Sequence, residues 1–145
     1  MGYGIGSLLA IFVSLFARSV GFDRDRAFYP TVLIVIASYY VLFAVMGGTV
    51  QALIVESSVM TAFLLVAVVG FKFDLRLVVA ALVGHGIFDF FHGRIVTNDG
   101  VPEWWPAFCL AYDVCAGGCL AWLLRRAKAT PLSPEIRMRT DRRKP

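Results

Sequence analysis

The sequence predicts an all-α, polytopic membrane bundle of five spans, with its N-terminus outside and its C-terminus inside. Three observations predict it. Of 145 residues 59% are hydrophobic, and the mean hydropathy is +0.73, beyond the roughly 45–50% apolar content of a soluble domain. The apolar residues fall in blocks of about 20, the length that crosses about 30 Å of hydrocarbon at about 1.5 Å per residue. Charge is held to the gaps between those blocks and to one terminal tail.

Each span is closed by charge, Gly or Pro. The first covers about residues 3–20; it has neither the basic leader nor the small-residue cleavage site of a signal peptide, so it reads as retained. The second covers about 30–46 and opens on Pro30, a residue suited to a first helical position, where its missing N–H goes unused. Gly47-Gly48 makes the break before a third span over about 49–71. A single helix from Pro30 to Phe71 would be about 60 Å long, twice the bilayer core, so a hairpin is required at the glycines. The fourth span covers about 75–92 and the fifth about 106–124.

Residues 1–126 thus form the membrane domain, and 127–145 a basic, Pro-bearing cytoplasmic tail too polar to pack a core. Eight of the fourteen Lys and Arg lie at or after Arg125, so the formal charge of +4 describes the tail more than the body. Beside a membrane span, such a run fits anionic lipid headgroups better than nucleic acid. Loop charge also orients the chain. Thirteen Lys and Arg lie on the side of the C-terminus and only Arg94 on the other, the asymmetry that marks a cytoplasmic face. Trp104 and Trp105 open the fifth span as interfacial anchors, with indole N–H groups in the wet zone and rings in the acyl zone.

Polar residues inside the spans carry whatever chemistry there is. His85, Asp89 and His92 lie at i, i+4 and i+7, within an arc of about 60° on one face of the fourth helix. Asp113 of the fifth span and Glu56 of the third lie at similar depth, all in the outer half of the bilayer in this topology. A charge at mid-bilayer costs about 2.5–3.5 kcal/mol on insertion scales, so these groups are expected to face the bundle interior and one another. Three carboxylates and two imidazoles there need protons or a cation for balance.

The expected site is therefore a polar pocket between spans three, four and five that opens to the outer side. Its metal ligands would be His85, Asp89, His92 and Asp113, with Glu56 as a further ligand, and Asp113 or Glu56 could instead act as general base to a metal-bound water. Tyr112 and Cys109 would stand behind the ligands. Imidazole and carboxylate together suit Zn or another divalent ion. The alternative is interhelical glue, with His85 bonded to Asp113 and Asp89 held by His92, Tyr39 or Tyr40. Further alternatives are a metal-dependent hydrolase and a small permease subunit.

Small residues at Ala80, Gly84, Ala111, Cys115, Gly117 and Gly118 are expected to let spans four and five pack closely. Asn98-Asp99-Gly100-Val101-Pro102 reads as turn chemistry, with Asp99 and Glu103 as candidates to cover the site. Cys109, Cys115 and Cys119 share one span with no partner elsewhere, so packing rather than disulfide formation is expected. Walker, Rossmann and nucleophile-elbow motifs are missing from the sequence.

The stretch from Leu82 to Cys119, with Gly84-His85, Asp89, His92, Pro102, Trp105-Pro106, Cys109 and Asp113, resembles a group of small bacterial integral membrane proteins classed as a domain of unknown function. The resemblance covers about a quarter of the chain. It implies a multi-pass protein of the bacterial inner membrane with an H-x3-D-x2-H then C-x3-D pattern, and it implies no activity. The ligand chemistry also resembles that of membrane-embedded zinc hydrolases of the ceramidase type. Helix order and the lack of a matching Ser depart from that pattern.

Overall fold

The computed structural model describes residues 1–129, so most of the expected basic tail lies outside the described residues. Helices α1 (Gly2–Val20), α2 (Phe28–Gly47), α3 (Val50–Lys72), α4 (Leu75–Ile95) and α5 (Trp105–Ala129) follow one another, with a short 3₁₀ turn at Phe22–Arg24 and no strand among the described residues. Their 19–25 residues correspond to about 28–38 Å of helix. All five are long and apolar enough to cross a membrane.

Local chemistry sets the boundaries. Gly21, in the left-handed region at φ 86°, ends α1. Pro30 falls in the third position of α2 rather than the first, still within the first turn, where backbone N–H groups have no intrahelical acceptor to lose. The hairpin at Gly47-Gly48 forms as expected, and Thr49 Oγ1 caps α3 by accepting from the Ala52 N–H at 3.1 Å. Asp74 does the same for α4, accepting from the Arg76 N–H at 2.9 Å. At its far end α5 runs to Ala129, past the expected limit near residue 124, and so takes in the first basic residues of the tail. Long Arg side chains allow this, because the stem stays with the helix while the head reaches the interface.

The packing inverts a soluble protein. Leu8, Phe12, Leu15, Leu65, Phe90 and Trp122 point outward, where hydrocarbon solvates them, while the interior holds small and polar residues. α5 is the centre, packed against α1 on one side and α4 on the other, and α2 and α3 close the bundle against α4. α1 docks on α5 through a face of Gly2, Gly6, Ala10, Ser14 and Ala17, all buried. A Cβ at Gly6 would collide with the Phe108 carbonyl, so the helices meet backbone to backbone there, as small-residue membrane contacts do.

Close packing of α4 on α5 was expected from Ala80, Gly84, Gly117 and Gly118, and only part of that stripe makes it. Gly84 and Gly118 face open space, whereas Gly117 meets Val79 and Leu82, and Gly86 lies 3.3 Å from the Leu110 carbonyl by its would-be Cβ. The contact is rotated about the α4 axis toward Gly86, the neighbour of His85. Two apolar layers bracket what lies between. One contains Leu33, Val78, Leu82, Ala116 and Leu120, and the other Ala44, Ala52 and Val96. The start of α1, the α2–α3 turn and the α4–α5 loop gather at one end: Gly2 meets the Trp104 carbonyl and Gly48 meets the Asn98 side chain.

Candidate functional site

Between the two apolar layers lie Glu56, His85, Asp89, His92, Asn98 and Asp113, each at most 8% exposed. The face of α4 that holds Val78, Ala81 and Leu82 in one layer and Val96 beside the other carries His85, Asp89 and His92 between them. Helical periodicity thus converts the i, i+4, i+7 spacing into one polar column facing inward.

The column divides into two clusters. His85 Nδ1 stands 2.7 Å from Asp113 Oδ2 and 3.3 Å from Asp89 Oδ2. An ionised carboxylate only accepts, so this nitrogen carries the proton and donates it to Asp113. The Gly86–Leu110 approach makes that bond possible, because Asp113 lies one turn along α5 from Leu110. The second cluster is nearer the loop end. His92 Nε2 donates to Glu56 Oε1 at 2.7 Å, and Asn98 Nδ2 donates to the same oxygen at 3.1 Å.

The first cluster is under-satisfied. Both oxygens of Asp89, Oδ1 of Asp113 and the Tyr40 hydroxyl are buried without a hydrogen bond of good geometry; Asp89 Oδ2 has only its 3.3 Å contact with His85, and the Tyr40 hydroxyl lies beside Asp89. Buried carboxylate oxygens without partners are among the costliest polar groups a fold can carry. One ligand atom from each of His85, Asp89 and Asp113 lies within 4.8 Å of the others, in the range that one ion can draw together. The second cluster has one orphan, Glu56 Oε2.

Aromatic rings enclose both clusters. Tyr40 stacks on the His92 ring at 4.2 Å between centroids, Phe63 sets its edge on His85 at 4.8 Å, and Phe88 packs on His92 at 5.5 Å. They lower the local dielectric, which strengthens paired charges and penalises unpaired ones.

The expected residues are therefore brought together, with three differences. His92 and Glu56 pair with each other rather than joining His85, and His92 does not hold Asp89. The enclosure draws on α2, through Tyr40, as well as on α3, α4 and α5. The expected open pocket is closed, and the cover is Asn98, whose Nδ2 also reaches the Tyr40 carbonyl at 3.3 Å and whose Oδ1 accepts from the Gly100 N–H at 3.3 Å. Asp99 and Glu103 are exposed. Turn chemistry at Asn98-Asp99-Gly100 marked the loop, but no sequence signal showed which of its polar side chains folds inward.

Cys109 is buried, and all three cysteines are free thiols. Tyr112 is half-buried against the larger apolar layer. Trp104 is 55% exposed at the end of the bundle, and Trp105 packs edge-on against Tyr39 and Phe43. Compared with known proteins, the chain matches no family model, no curated protein and no solved structure.

The loop cover has a measurable role. Asn98→Ala removes three hydrogen bonds and bares Glu56 Oε1 on one side, and each buried polar group left unpaired costs about 1–3 kcal/mol. The expected result is a stability loss of about 2 kcal/mol with faster amide hydrogen exchange confined to the α4–α5 loop. Unchanged exchange in that loop would show that Asn98 does not hold it.

Proposed function

We propose that this multi-pass membrane protein holds one divalent metal ion, of the zinc class, between His85, Asp89 and Asp113. The observation that carries the reading is the set of three orphaned, buried carboxylate oxygens beside an imidazole nitrogen. A cation held by one oxygen of each carboxylate and by the imidazole, whose ligating nitrogen would give up its proton, would balance two negative charges in a low-dielectric interior. One imidazole and two carboxylates are a borderline-to-hard donor set, suited to Zn and to Mn or Fe(II) and poorly suited to Cu(I). Three protein ligands would leave a fourth position for water or a small ligand.

Two features favour binding over hydrolysis or passage. Both candidate general bases are already engaged, Glu56 by His92 and Asn98 and Asp113 by His85. Beyond His85 the interior is closed by Leu33, Val78 and Leu82, which leaves a permeating ion no polar file to follow. Structural glue remains the competing reading, favoured by the two His–carboxylate contacts at 2.7 Å. In glue alone, however, Asp89 has only its longer 3.3 Å contact with His85 and the Tyr40 hydroxyl beside it.

Lys and Arg asymmetry supports placing the N-terminal end of the bundle, with its Trp pair, on the outer side of a bacterial inner membrane, so that the cation site lies in the outer half. The basic tail, including residues 130–145, would then meet anionic lipid on the inner face. So small a bundle also suits assembly into a homo-oligomer.

Metal analysis of the detergent-purified protein tests the reading. About one divalent ion per chain is expected, falling to background in Asp89→Asn, with chelation lowering the thermal midpoint of the native protein but not of that variant. Metal at background in the native protein, with no shift on adding EDTA or Zn, overturns it.

A further inference from the structure

A second feature lies on the opposite flank of α5, away from the cation site. α1 packs on α5 and stands off from α2. The gap is a groove of about 680 Å³ lined by Leu9, Phe28, Val35, Phe108 and Tyr112 among others. From Ala27 to Tyr39 of α2 it runs about 18 Å at about 1.5 Å per residue, slightly more than the half-thickness of a bilayer's hydrocarbon core. Its volume lies within the roughly 300–1,000 Å³ typical of ligand sites.

The groove ends at the Gly21–Asp25 turn, where the chemistry changes. Asp25 lines both the groove and an adjoining basin of about 600 Å³ that also contains Arg18, Arg24, Arg26 and Arg126. The Arg24 side chain lies over Gly21, at the mouth between the two. Asp23 pairs with Arg18 at 3.4 Å, which leaves the exposed Arg24 and Arg26 with one further carboxylate, Asp25, and an excess of positive charge at this mouth of the basin. An apolar slot of leaflet depth leading into an arginine basin has the shape and polarity of a phospholipid.

We propose that this groove and basin together bind one anionic phospholipid, with an acyl chain along α2 and the phosphate among the arginines. Guanidinium groups recognise phosphate oxygens by paired N–H donors, and basic pockets between membrane helices favour anionic headgroups. Charge complementarity is what singles out this occupant. A partner helix would fill the slot but would bring no anion to Arg24 and Arg26. The site involves none of the cation ligands, so it stands or falls separately from the metal reading.

Full-length protein in non-ionic detergent would be titrated with dioleoyl phosphatidylglycerol, with dioleoyl phosphatidylcholine and with sodium phosphate, following the thermal midpoint and the lipid adducts in native mass spectrometry. Phosphatidylglycerol is expected to bind about tenfold more tightly than phosphatidylcholine, and phosphate alone should leave the midpoint unchanged. Arg24→Ser/Arg26→Ser alters exposed residues and should reduce phosphatidylglycerol to the level of phosphatidylcholine. Val35→Trp, which fills the slot, should weaken both lipids. Equal binding of the two lipids overturns the proposal, as does a response to phosphate alone or insensitivity of phosphatidylglycerol binding to both variants.

Discussion

His85→Ala is expected to destabilise the metal-free protein by about 3–5 kcal/mol, the usual consequence of removing one partner from a buried charged pair. The variant leaves Asp89 and Asp113 as neighbouring carboxylates with neither a proton donor nor a countercharge. Asp113→Ala should cost a similar amount, because His85 loses its 2.7 Å contact. Combining the two should add little, since most of each single loss is the cost of what is left behind; a double-mutant cycle reports this as a coupling energy of about 2 kcal/mol or more. Losses that simply add would show that the contact is not an energetic unit.

Asp89→Asn separates a structural from an ion-binding cluster by its sign. Without metal, Asp89 contributes repulsion toward Asp113 and no hydrogen bond of good geometry, against a single 3.3 Å contact with His85 that is secondary to the 2.7 Å bond from His85 to Asp113. An amide of nearly the same shape removes one charge and supplies donors, so the metal-free variant should be as stable as the native chain or more stable. With metal in excess the order should reverse, because a site that binds only the folded state adds about 2.7 kcal/mol at a hundred times its dissociation constant. A variant less stable than the native chain under both conditions would place Asp89 in the fold rather than in a site. Denaturant titrations with and without Zn read both arms.

How much of this was legible in the sequence differs by level. Span number followed from block length, and the interior position of the column from the spacing of His85, Asp89 and His92, because insertion cost and helical periodicity are local properties. Partner choice was not legible. Whether His92 faces Asp89 or Glu56 depends on the rotation of α3 relative to α4, and that is set by contacts distant in sequence. The glycine that brings Asp113 to His85 is Gly86 rather than Gly84, a difference of about 200° around the helix. Small residues occur on both faces, and only the packed bundle selects between them. Asn98 was hidden for a related reason: a turn sequence specifies backbone conformation and leaves open which side chain is drawn toward a buried carboxylate.

The α1 face is the largest feature that charge and hydropathy did not reveal, and it carries the second large effect. Gly2, Gly6, Ala10 and Ser14 recur every four residues on one side of an otherwise apolar helix, and in lipid such a row acts by letting backbones approach rather than by burying area. Gly6 is its tightest point, against the Phe108 carbonyl. Gly6→Leu cannot be absorbed by a side-chain rotation, because the obstacle is backbone, so α1 must slide or lift from α5. Overpacking of this kind costs about 1–3 kcal/mol where neighbours can shift, and the upper end is expected here. α5 also carries Phe108 and, five residues on, Asp113, so a displaced α1 loosens the helix that supplies a ligand of the proposed cation site. Gly4→Leu is the control, because a side chain there meets open space. The expected outcome is a fall in thermal midpoint for Gly6→Leu together with weaker stabilisation by Zn, and neither change for Gly4→Leu. Equal effects from the two variants would show that α1 is held by general apolar contact and not by this face.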